Sequence, residues 1–121
     1  MALKTEGVHG AEFLLSDEEK LSYDKVTLIA GQNLIAGTVL GKITASGKYT
    51  AHNNAAADGS EVAAVVLFDS VDATLVDTSV VVVSRIAEVI DAKLIFKAGI
   101  TAPNRLAAIA ALATNHITAR V

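Results

Sequence analysis

Val26-Thr27-Leu28-Ile29-Ala30-Gly31-Gln32-Asn33-Leu34-Ile35-Ala36-Gly37-Thr38-Val39-Leu40-Gly41-Lys42-Ile43 is the stretch on which the fold turns. Val26 to Ala30 reads as a strand that opens a β-rich body, and Gly31-Gln32-Asn33 as the turn that closes it. Leu34-Ile35-Ala36 leads into a second turn at Gly37. Thr38 to Thr44 then reads as a strand with Val39, Gly41 and Ile43 on one face. A glycine inside a strand marks a bulge or a close backbone approach, so Gly41 is expected to lie against another segment.

The pattern continues outward on the C-terminal side. Ser46-Gly47-Lys48 supplies hairpin turn chemistry before Lys48-Tyr49-Thr50-Ala51. Asn53 to Ala57 is a loop or a single helical turn, and Asp58-Gly59 is a further turn signal. Val62 to Phe68 and Val80 to Val83 are continuous apolar runs, the mark of strands covered on both faces. Asp69 to Thr78, with three acids and no basic residue, reads as an exposed connection between them. Beyond Ser84, Ala87 and Val89 alternate with Glu88 and Ile90. Lys93-Leu94-Ile95-Phe96 fits a short strand and a helical turn equally. Thr101 as N-cap and Pro103 in the first turn announce a helix, Pro103 to Thr114, expected to pack Leu106, Ile109, Ala110 and Ala113 on the sheet. Asn115 is expected to be its left-handed cap, and Ile117 to Val121 a closing strand.

The N-terminal side differs. Met1 to Lys25 sustains neither helical nor strand periodicity, carries Gly7 and Gly10, and holds Phe13-Leu14-Leu15 as an apolar island before Asp17-Glu18-Glu19-Lys20. Two readings stand, a short strand tucked onto the domain and an arm that orders on a partner, with the arm favoured. The organisation is thus an N-terminal arm, residues 1–25, flexible until bound, and one β-rich domain, residues 26–121. The fold class is α+β and mostly β, with one Ala-rich C-terminal helix.

Composition narrows function. The 121 residues are enough for one domain. They are 52% hydrophobic and only 19% charged, a surplus of apolar surface that calls for burial against other copies or another protein. A net charge of −3 without a Lys/Arg cluster gives no footprint for direct nucleic acid binding. With no cysteine there is no disulfide framework, thiolate zinc site or Cys nucleophile. Met1 to Gly10 has no signal-peptide apolar core, and the longest apolar runs fall short of the ~18 residues of a membrane span, so no membrane partner is expected. His9, His52 and His116 lie in three separate segments and read as surface residues. Asp69, Asp72 and Asp77 hint at calcium, but Val71, Thr74, Leu75 and Val76 break the alternation such a loop needs. Ser60 lacks a Gly-x-Ser-x-Gly frame, and Gly37 and Gly41 open no helix that could cradle a phosphate. No catalytic residue, cofactor or metal is expected; the chain reads as a non-enzyme.

Three stretches together resemble the head decoration proteins of tailed bacteriophages, the family of the phage lambda head protein D. They are Glu6-Gly7-Val8-His9 through Glu12-Phe13-Leu14-Leu15-Ser16, the Val26 to Ile43 stretch, and Asp58-Gly59-Ser60-Glu61-Val62-Ala63-Ala64-Val65-Val66-Leu67. One departure is Tyr23 after Ser22, where a basic residue able to make a polar contact to the shell is expected. The resemblance implies a small β-clip-like body and a homotrimer. It also implies binding at three-fold sites on the outer surface of the expanded capsid, made in the host cytoplasm and carried on the virion. There the trimer clamps the major capsid protein against DNA packaging pressure. The arm residues Glu12, Phe13, Leu14, Leu15 and Ser16 are the expected capsid-binding set. The alternatives are another β-clip binding module, for carbohydrate, and a carrier-like domain with Lys48 at its hairpin.

Overall fold

The computed structural model of the chain describes residues 14–17, 23–85 and 87–120. These residues form β1 (Leu14–Asp17), β2 (Tyr23–Leu28), β3 (Gln32–Leu34), β4 (Val39–Lys42), β5 (Tyr49–Ala51), β6 (Ala63–Leu67), β7 (Val71–Ala73), β8 (Thr78–Val83) and β9 (Ala87–Ile90). A 3₁₀ turn (Asp91–Lys93), the helix α1 (Ala102–Thr114) and β10 (Ile117–Arg120) complete the order. Strands β2, β5, β4, β6 and β8 close into a barrel in that order, β3 and β7 form a two-stranded ribbon, and β1, β9 and β10 form a small sheet. The fold is mostly β with one C-terminal helix, as the sequence implies.

The barrel's longest ladder is β2 against β8, antiparallel from Tyr23↔Val83 to Leu28↔Thr78. The body therefore opens at Tyr23, three residues ahead of the expected Val26, because β8 offers a six-residue partner. The barrel shuts through a parallel pairing of Leu28 with Tyr49. The acidic connection hides a strand: β7 pairs with β3, and Ala73 turns inward while Asp72 faces water. A three-residue strand with one acid in its middle leaves too short a pattern to read.

The continuous apolar runs are explained by two cores on opposite sides of the barrel wall. Leu28, Leu40, Val65, Leu67, Val80 and Val82 fill one. Val39, Val66 and Val83 face the other, where they meet Val89, Leu112 and Ile117. Successive side chains of a strand point to opposite faces, so Val39-Leu40 and Val65-Val66-Leu67 are apolar throughout because both faces are covered. Val81 departs from this expectation. It is exposed, because the outer face of β8 is covered at Val83 by the second core but not one step back at Val81.

Gly41 meets its expectation. The β4–β6 register shifts between Leu40 and Gly41, and a Cβ on Gly41 would lie 2.5 Å from the Ser60 carbonyl oxygen. Gly59, at φ +109°, has the Lys42 carbonyl 2.5 Å from where its Cβ would be. The Asp58-Gly59-Ser60 turn is thus pressed onto β4 at two glycines. The ambiguous segment resolves into both of its readings: a 3₁₀ turn at Asp91–Lys93, then Ile95 extended alongside Thr38.

Helix α1 has the expected start, with the Thr101 side chain accepting from the Asn104 N–H and Pro103 in the first turn. Its buried face differs. Ala108 and Leu112 are buried, whereas Leu106 is 67% exposed and Ala110 and Ala113 also face out. Alanine surrounds the helix, so apolar spacing alone fits two opposite faces; contact with β6 and β10 selects the one through Leu112. The left-handed residue is His116, at φ 61°, and not Asn115. Asn115 instead caps the helix and donates its side-chain amide to the Ala64 carbonyl at 3.0 Å.

Two substitutions test this placement. Leu112→Ala is expected to cost about 2–5 kcal/mol and lower Tm, the usual range for a buried leucine, while Leu106→Ala shifts Tm little; thermal melts compare them. Val82→Asp puts an unpaired charge in the barrel interior and is expected to abolish the cooperative transition.

Candidate functional site

Of the five residues expected to grip a partner, Glu12 and Phe13 lie outside the described residues. Leu14, Leu15 and Ser16 fall in β1, which runs antiparallel to β9 with Leu14 opposite Val89 and Ser16 opposite Glu88. The sheet order β1-β9-β10 makes β1 an edge strand. Its outer side meets no other strand among the described residues, so its remaining backbone N–H and C=O groups can accept a further strand. The first residue of β1, Leu14, lies at the Val89–Ile90 end of the sheet, the end at which the parallel β10 also finishes, with Arg120 opposite Ile90.

The start of β2 is fastened to the barrel. Tyr23, where a basic residue was expected, stacks edge-on against Phe68 with ring centroids 4.9 Å apart. One residue on, Asp24 accepts from the Arg85 guanidinium at 2.7 Å and from the Ser84 hydroxyl at 2.9 Å. These bonds, Arg85 foremost, hold the Asp24 carboxyl below the usual carboxylate range despite partial desolvation. The clasp ties the entry to β2 to the link between β8 and β9, so whatever pulls on the segment before Tyr23 pulls on the barrel.

Most polar groups that invite a chemical role are engaged in structure, although the buried Nδ1 of His52 has no hydrogen-bond partner among the described residues. His52 is 3% exposed and is not the surface histidine expected. Its Nε2 lies 3.0 Å from the Glu61 carbonyl oxygen and so must carry the proton, and its ring packs edge-on against Phe96. The signal for its burial was weak: a lone histidine between Ala51 and Asn53. His116 is exposed, as expected. Ser60 is buried, and its hydroxyl donates to Asp58 at 2.6 Å. Lys48, at the hairpin, is 2.6 Å from Asp77. Arg105 pairs with Asp91 and lies over the Phe96 ring, 4.9 Å from its centroid. Among the described residues, no group of three His, Cys, Asp or Glu side chains converges to hold a metal, and no helix is long and apolar enough to cross a membrane. What this surface offers is backbone edge and apolar area. Sequence reasoning missed part of the latter: Leu75 and Val76, within the acidic connection, stand out into solvent.

A family model described as Bacteriophage lambda head decoration protein D matches residues 3–117. No curated protein matches the chain.

The carboxylates set an acid limit. Hydrogen bonds from Ser60, Thr74 and Lys48 hold Asp58, Asp72 and Asp77, like Asp24, below the usual value. A carboxyl depressed in the folded state contributes fully above its unfolded pKa of ~4 and loses that contribution as pH falls through the folded value. Thermal melts are expected to show this contribution constant from pH 7 to about 5 and lost progressively below about 4. Asp24→Asn is expected to flatten that acid slope.

Proposed function

The chain belongs to the bacteriophage lambda head decoration protein D family, and from that premise we propose that it binds the outer surface of the expanded phage capsid as a homotrimer at three-fold sites and reinforces the shell against packaging pressure. The observation that carries this reading is the extent of the match, which runs from residue 3 to residue 117 and so includes the arm as well as the body. Two features of the fold support it: a closed barrel makes a stiff body, and β1, within the arm, lies at the edge of the small sheet.

In this reading Glu12, Phe13, Leu14, Leu15 and Ser16 grip the major capsid protein by strand addition. Burying Phe13, Leu14 and Leu15 contributes ~1.5–3 kcal/mol each. Ordering each backbone residue not already paired, as Leu14–Asp17 are with β9, costs ~1–2 kcal/mol, so a single arm is marginal. Three arms on one trimer overcome this, since the second and third bind at high effective concentration. The same geometry restricts binding to the expanded shell, where three acceptor edges stand at the spacing of the trimer.

Cosedimentation with expanded and unexpanded empty capsids tests this. The full chain is expected to saturate expanded capsids and leave unexpanded ones bare. Light scattering is expected to give three times 12.5 kDa. Deleting residues 1–20 is expected to leave a folded trimer that no longer saturates, with Phe13→Ala intermediate. Normal decoration by the truncated trimer contradicts the arm's role.

A further inference from the structure

The β3–β7 ribbon carries an apolar tip at one end and an apolar groove at the other. At the tip the chain turns through Thr74-Leu75-Val76-Asp77, with Leu75 89% and Val76 65% exposed. Such a turn is ordinarily polar, and this one is braced on every side. Asp72 accepts from the Thr74 backbone N–H at 3.0 Å. Gly31 N–H donates to the Ala73 carbonyl at 2.8 Å. Asp77 takes the Ala30 N–H at 2.9 Å and the Lys48 ammonium at 2.6 Å. Two aliphatic side chains are therefore held out in water on a fixed support.

Past the other end of the ribbon a groove of about 370 Å³ opens, walled by Leu34, Ile35, Val39, Ile95 and Phe96, with Lys97 among its lining residues. Lys97 is exposed and donates to the Asn53 side-chain oxygen at 3.2 Å. Gln32 pairs with Ala73 beside the tip and Leu34 with Val71 beside the groove. At ~3.3 Å per residue, Gly31 and Ile35 are roughly 13 Å apart, so a chain's tip cannot fill its own groove. The groove has room for the seven side-chain carbons of Leu75 and Val76. The charges also match: Asp77 is paired with Lys48, so the charge beside the tip is that of Asp72, and the groove carries Lys97.

We infer that the Leu75–Val76 tip of one copy seats in the groove of a second copy, with Asp72 facing Lys97 of that copy. Tip and groove are different patches, so the contact is head-to-tail, and repeated around an axis it closes a ring. The inference deepens the decoration reading and rests on it only for the number of copies, three.

Light scattering and mixing test it. Leu75→Asp with Val76→Asp, both at exposed positions, is expected to give a monomer with the wild-type melt. Ile35→Asp, on the groove side, is expected to do the same; if its melt collapses, the neutral Ile35→Gln at the same half-exposed position takes its place. Mixing the tip variant with the groove variant restores one intact contact, so a one-to-one dimer is expected and no trimer. Asp72→Lys and Lys97→Glu are each expected to weaken association about tenfold, and their combination to recover most of it. A tip variant that stays trimeric overturns the inference, and if it still saturates expanded capsids the decoration reading stands without it. A mixture that stays monomeric also overturns it. A wild-type chain that is monomeric overturns both this contact and the trimer, while capsid binding by that monomer would leave decoration itself standing.

Discussion

Burial on both faces of the barrel wall is the constraint on which the rest of the structure depends. Leu40, Val65, Leu67 and Val82 fill one core, while Val39, Val66 and Val83 reach through to the other and meet α1 and the small sheet. A barrel of five short strands has little interior of its own, and small domains bury a smaller fraction of their surface than large ones. The second core joins β9, β10 and α1 to the barrel, so that the helix and the small sheet are structural parts of one body. The close approach of Ser60 to Gly41 belongs to the same economy of space. A larger residue at Gly41 would push the 58–60 turn off β4 and open the wall between the cores.

That stiffness sets what the surface can do. Closing the barrel removes its strand edges, which leaves the small sheet to offer one at β1. The Tyr23–Phe68 stack and the Asp24–Arg85 pair fasten the start of β2 to Phe68 and to the link after β8. In the proposed role, a load entering at the start of β2 would be delivered to the two-sided core instead of peeling away a loop. A protein that reinforces a shell needs this property more than it needs a pocket. The buried His52 and Ser60 fit the same picture, since both are spent on holding the 58–62 loop against its neighbours.

Much of this was legible in the sequence, and the failures have physical causes. The continuous runs at Val62–Phe68 and Val80–Val83 read correctly as buried strands because two-sided burial removes alternation, and Gly41 announced a close approach because no other residue tolerates one. Thr101 and Pro103 placed the start of the helix through capping chemistry, which is local. The face of α1 was misread because alanine lies all around it, and the choice between Leu106 and Leu112 belongs to the tertiary fold. The left-handed position fell one residue later, at His116, because Asn115 is drawn to the Ala64 carbonyl. Strand β7 was hidden because it is three residues long with a single acid, Asp72, on its solvent side. For the arm, Phe13-Leu14-Leu15 was picked out as an apolar island, but the pairing of Leu14 and Ser16 with β9 is a long-range contact that no local pattern encodes.

The central claim is that the arm attaches this body to the capsid while the barrel stays unchanged. Hydrogen exchange measured on the protein free and bound to expanded capsids tests it most directly. New protection is expected at residues 12–17, within β1 at the amides not already bonded to β9, with the amides of Val65–Leu67 and Val80–Val83 exchanging slowly and equally in both states. New protection spread over the barrel strands, with none at residues 12–17, would contradict it.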